Sequence, residues 1–171
     1  MESFKQLVCL TRPKQRYEDA IKIWKKSLGN DHPWVATGLN NLAELFSGQG
    51  DYAGAEPLYR EAISIGEKTL GRDHPDVATR LNNLAGLLKA QGKMTEAKQM
   101  FEEAVAIQRR VYGNEHPHLA VSLWWLANLL RDQGGNDKEV SRTGKEALGI
   151  FERVLGPDHP TTQQIRKEWG Q

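Results

Sequence analysis

The sequence has 171 residues, 23 basic against 22 acidic side chains and a net charge of +1, so nothing in it draws the chain to nucleic acid or to an anionic membrane. A single cysteine, Cys9, excludes an internal disulfide and a cysteine-built metal site. No apolar run approaches the roughly 20 residues of a membrane span, and the opening MESFKQLVCLTRPKQ lacks the basic-then-apolar order of a signal peptide, which makes a cytoplasmic protein the expectation.

At the N-terminus, Phe4, Leu7, Val8 and Leu10 suit a turn or two of amphipathic helix ahead of Pro13. Arg16–Gly29, RYEDAIKIWKKSLG, then aligns position for position with Leu58–Gly71, LYREAISIGEKTLG. The chain therefore opens on the second half of a repeat, with Pro13 near the start of that helix, where a missing N–H costs nothing. Three copies follow, Asp31–Gly71, Asp73–Gly113 and Glu115–Gly156, and their His-Pro pairs at His32, His74, His116 and His159 recur after 42, 42 and 43 residues. A fixed period of this size marks a repeat architecture.

Each copy reads as two helices, A and B. In the central copy, helix A spans about Pro75 to Gln91, with Val77, Ala78, Leu81, Leu84, Ala85, Leu87 and Leu88 on one face. Gly92 ends it in a left-handed conformation. Helix B spans about Thr95 to Tyr112, with Thr95 as its N-cap and Ala97, Met100, Phe101, Ala104, Val105 and Ile107 turned inward, and Gly113 stops it. Ala43, Ala85 and Ala127 align on helix A, as Ala20, Ala62, Ala104 and Ala147 do on helix B. Such small residues bring paired helices to the close end of the usual 8–10 Å separation. No strand-like alternation is present.

The third copy departs from the others. Gly134-Gly135-Asn136-Asp137 lengthens its A–B turn, and Thr143 and Gly144 replace Met100 and Phe101, which predicts a more loosely packed helix B. The tail, LGPDHPTTQQIRKEWGQ, begins a fourth helix A with Arg166, Lys167 and Glu168 in place of Leu81, Asn82 and Asn83, as a polar terminal cap requires.

Leu81, Leu84, Ala85, Leu88, Ala97, Phe101 and Ala104 stand at the signature spacing of the tetratricopeptide repeat. With LGRDHPDVATRLNNLAGLLKAQGK, the longer period resembles the 42-residue variety found in kinesin light chains, over about Arg16 to Gly170. The resemblance implies an all-α fold, a right-handed superhelical α-solenoid of antiparallel helix pairs. As a single array over 1–171 it divides into a partial repeat (1–29), three full repeats (30–71, 72–113 and 114–156) and a C-terminal capping helix (157–171).

The resemblance also implies a non-catalytic scaffold that binds an extended peptide or a partner protein in a concave groove lined by helix A. The groove positions are Thr37, Asn40, Asn41 and Glu44 in the first full repeat. They are Thr79, Asn82, Asn83, Gly86 and Lys89 in the second, and Val121, Trp124, Trp125, Asn128 and Arg131 in the third. An asparagine amide both donates and accepts, which suits a peptide backbone. Trp124 and Trp125 replace the asparagine pair and supply an apolar anchor, with Lys89 and Arg131 placed for an acidic residue. Two other roles compete: one Asn of each pair bonding the neighbouring helix, and one of the two tryptophans being buried. Trp24 and Trp34 are expected to be packing or surface residues.

No nucleotide loop, nucleophile elbow or H-E-x-x-H motif is present, and no enzyme or cofactor is expected. The four repeating histidines lie a repeat apart, whereas zinc gathers its nitrogens near 2 Å from one ion; capping of the helix starts is their expected role. Partners are a protein or peptide, with neither nucleic acid nor membrane. The alternatives are a homodimer formed through Tyr17, Ile21 and Trp24 on an open N-terminal helix B, and a regulatory C-terminal piece of a larger bacterial protein.

Overall fold

The His-Pro pairs set the helix starts. In a computed structural model describing residues 2–170, with side chains from Pro13 onward, the imidazole Nδ1 of His32, His74, His116 and His159 accepts the backbone N–H two residues on at 3.1–3.2 Å. Proline fills the first helical position, where its absent donor is no loss. These caps open α2 (Pro33–Gly48), α4 (Pro75–Ala90), α6 (Pro117–Asp132) and α8 (Pro160–Trp169). The alternating helices are α1 (Glu2–Leu28), α3 (Tyr52–Leu70), α5 (Met94–Tyr112) and α7 (Asp137–Leu155), and no strand occurs among the described residues.

The turn inside each pair is equally determined. After α4 the Gly92 N–H bonds to the Lys89 carbonyl and the Lys93 N–H to the Leu88 carbonyl, both at 2.9 Å. This is the Schellman arrangement, and Gly92 at φ 77° supplies the left-handed residue it needs. The same two bonds close the turns after α2 and α6. They also correct the expected start of helix B. Lys93, not Thr95, stands at the N-cap of α5 and makes no side-chain cap bond, because the turn geometry fixes the start two residues earlier. In the third copy the extra residue does lengthen the turn, and Asn136 caps α7 through the Lys138 N–H at 2.9 Å.

α1 differs from the expectation as well. Its 27 residues run through Pro13 instead of starting there, although an interior proline forfeits one backbone bond. The side chains of Phe4, Leu7, Val8, Cys9 and Leu10 lie outside the described residues.

The helices gather into two units, Met1–Arg72 and Asp73–Gln171. In the first, Val35, Ala36, Leu39 and Leu42 of α2 meet Ile21 of α1 and Ala62 and Ile65 of α3, with Tyr17 and Trp24 packed against them. Gly38 makes the α1–α2 approach possible, since a Cβ there would sit 2.8 Å from Ile21 and 2.9 Å from Trp24. Tyr17, Ile21 and Trp24 therefore pack toward α2. Each successive helix of the second unit packs on the one before it, from α4 through to α8. Ala85, Ala97, Ala104, Ala127 and Ala147 are all fully buried there.

The expected looseness of α7 is not found. Gly144 leaves the space where Phe101 sits in α5, and the indole of Trp169 from α8 enters it; a Cβ on Gly144 would overlap that ring. Trp169 is 7% exposed and lies on α8 with the buried Ile165 and Thr162. An aromatic side chain is thus kept at this level of the core, contributed by the last helix instead of α7. Gly144→Ala is expected to destabilise the protein by about 1–3 kcal/mol through overpacking. Gly86→Ala, whose added carbon meets nothing within 4 Å, should instead stabilise by about 0.5–1 kcal/mol. Denaturant unfolding of the two variants checks this, and equal shifts would refute the role given to Trp169.

Candidate functional site

In the first unit, the outward face of α2 carries Thr37, Asn40, Asn41 and Glu44. The Thr37 hydroxyl donates to the Pro33 carbonyl at 3.2 Å, and the Asn40 amide lies 3.5 Å from the Asn41 side-chain oxygen. Glu44 is exposed. Its charge adds to burial, the larger cause, in pushing the Tyr59 hydroxyl up to about 12. Trp24, Trp34 and Thr37 line an open apolar cleft of about 270 Å³, in which Trp34 is 58% exposed.

In the second unit α4 presents Thr79, Asn82, Asn83, Gly86 and Lys89. Thr79 turns its hydroxyl to the Pro75 carbonyl at 3.2 Å. Asn82 donates to the Ser122 hydroxyl of α6 at 2.6 Å, and Ser122 lies 2.6 Å from the Gln108 side-chain oxygen of α5. Three helices are joined by this chain of polar groups, within which Ser122 is fully buried and Gln108 is 2% exposed. Asn82 thus holds the stack, and Asn83 is half-buried beside it. The Lys89 ammonium lies 2.6 Å from the Asp132 carboxylate, so its charge is already partnered within the fold.

On α6 the two indoles lie 4.7 Å apart, tilted at 53°. Neither is buried: Trp124 is intermediate and Trp125 is 40% exposed. Trp124 donates its indole N–H to the Glu168 carboxylate of α8 at 3.0 Å. Asn128, 8% exposed, donates to the Trp124 carbonyl at 2.9 Å and accepts from Arg131. The Arg131 guanidinium also lies 4.8 Å from the centre of the Trp169 ring, a cation–π contact. The helix therefore offers Trp125 and Val121, 38% exposed, as adjacent apolar side chains beside an indole that is held in place.

Sequence reasoning missed Ser122, Gln108, Glu168 and Trp169. Ser122 had a signal, since the same position of the repeat holds Gly38 and Arg80. Arg80 is 5% exposed on α4; burial pushes its guanidinium below the usual value, and the Asp76 charge opposes that shift. Among the described residues, no three His, Cys, Asp or Glu side chains gather as a metal site, and no helix is long and apolar enough to cross a membrane.

A family model for the tetratricopeptide repeat matches residues 14–68, 48–108 and 76–148. No curated protein matches the sequence. Among solved structures, a Podosopora anserina protein assigned as a kinesin light chain, with nearly identical TPR-like repeats, is similar at TM-score 0.79. It is 25% identical over 98% of this chain and 79% of that one. BtubC (BKLC) from P. vanneervenii gives 0.77 at 22% identity, over 94% of this chain and 64% of that one. The N-terminal domain of stress-induced protein-1 (STI-1) from C. elegans gives 0.60 at 19% identity, over 81% and 97%. The last two likenesses concern the fold alone.

The Asn82–Ser122 bond is expected to contribute about 1 kcal/mol. A double-mutant cycle with Asn82→Ala and Ser122→Ala should show coupling of that order, whereas strictly additive losses would show that the two side chains act independently.

Proposed function

This chain belongs to the tetratricopeptide repeat family, whose members mediate protein–protein interaction, and on that premise we propose that it is a non-catalytic scaffold whose outward α6 face anchors an extended peptide. The observation that carries the reading is the arrangement of Trp125, Val121 and Trp124. Two partly exposed apolar side chains stand four residues apart, one helical turn, against an indole whose N–H is already satisfied by Glu168. A ligand side chain entering there meets apolar surface without leaving the Trp124 donor unpaired.

Asn83 and Thr79 of α4 belong to the same proposed face, and so does the exposed Arg131. Lys89 and Asn82 support it from within, as an ion pair with Asp132 and a tie to Ser122. In the first unit, Asn40, Asn41 and Glu44 remain proposed ligand-facing positions. Self-association through α1 is the weaker alternative. Tyr17, Ile21 and Trp24 pack against α2, which leaves Ile23 and Leu28 as the exposed large apolar side chains among the described residues of that helix. A cytoplasmic setting is part of the proposal.

Peptides selected by display against the full chain test the reading. Trp125→Ala should weaken the selected peptides by about 2 kcal/mol, roughly 30-fold, the size of an interface hot spot, with the unfolding midpoint within experimental scatter of the parent. Unchanged affinity in Trp125→Ala, with the fold intact, would reject α6 as the anchor.

A further inference from the structure

The histidine caps have a chemical consequence. A ring nitrogen that accepts a backbone N–H must be unprotonated, so in each cap Nδ1 is bare and the neutral ring carries its proton on Nε2. A second proton goes to Nδ1. Two N–H donors then face each other, and a positive charge stands at the positive end of the helix dipole.

The surroundings decide how much this matters. At α4, the Asp76 carboxylate lies 4.0 Å from the His74 Nδ1 and offers a protonated ring a new acceptor. At α6 the equivalent position is His118, whose ring centre is 5.0 Å from that of His116. From α5, Tyr112 stacks flat on His116, with centres 3.8 Å apart and planes 10° from parallel, which holds the ring in its capping orientation. The nearby acid, Glu115, is engaged by Arg153 of α7 at 3.3 Å.

We propose that the α5–α6 junction is an acid-sensitive joint, in which protonation of His116 removes the cap of α6 and loosens that helix's first turn more than the first turn of α4, where the Asp76 carboxylate stands beside the capping ring. The direction is consistent with the electrostatics: burial and then the His118 charge lower the His116 pKa from its ordinary 6.5. A ring that binds its proton less readily when folded contributes stability that is present above 6.5 and lost as the pH falls through the folded value. The inference stands on the cap geometry and does not depend on the peptide-site reading.

Amide and imidazole NMR of the full chain between pH 7.5 and 5.0 is the test. The His118 amide, which donates to Nδ1, should move with the titration of the His116 ring. Exchange protection at Ala120, which bonds to the His116 carbonyl at 3.2 Å, should fall roughly fivefold more than at Ala78 of α4, the effect of a lost N-cap. His116→Asn keeps a cap that does not titrate and should abolish the change; His118→Asp, which restores the α4 arrangement, should reduce it. A His118 amide that stays fixed while His116 titrates would overturn the proposal, as would an unaltered pH response in folded His116→Asn. Should that variant fail to fold, the wild-type titration decides alone.

Discussion

The bond from the Lys93 N–H to the Leu88 carbonyl, closed across Gly92, determines more of this structure than any side-chain contact. It reverses the chain between two helices within three residues, and a left-handed residue is needed for it. A non-glycine side chain in that conformation costs roughly 1 kcal/mol or more. Once the turn is fixed, the registers of α4 and α5 are set, and Ala85, Ala97 and Ala104 are fully buried. The histidine cap then fixes where the next helix A begins. Side-chain packing fills a frame already defined by a histidine cap at the start and backbone turn bonds at the end of α2, α4 and α6.

Much of this frame was legible because each device leaves a local mark: a His-Pro pair, a glycine, or alanines at a constant period. Capping propensity alone points to Thr95, but the geometry of the preceding turn is stronger and puts the N-cap at Lys93. An interior proline is disfavoured, which places Pro13 near a helix start in the sequence, whereas α1 runs through it and bears that cost. The filling of the Gly144 space by Trp169 was not legible. The two residues lie on different helices, and no periodic signal links a missing aromatic in one to an added aromatic in the next.

The candidate site shows the same division. The resemblance placed residues on helix A, but hydrogen bonding gave several of them structural work. Asn82 reaches Ser122, Lys89 reaches Asp132, and the buried Asn128 bonds the Trp124 carbonyl and Arg131. Periodicity could not settle the tryptophan pair, since neighbouring helical residues point about 100° apart and the outcome depends on α8, which takes only the Trp124 N–H. What distinguishes this chain within a generic fold is the third repeat, where the asparagines become tryptophans and the last helix closes the core behind them.

The five tryptophans provide built-in reporters for that conclusion, because each indole N–H gives its own proton–nitrogen NMR signal. With a selected peptide added stepwise to the full chain, the account predicts that the Trp125 indole signal shifts most and Trp124, tethered to Glu168, less. Trp24, Trp34 and Trp169 should stay in place. A shift confined to Trp24 and Trp34, with Trp125 unmoved, would contradict it and place binding in the first unit.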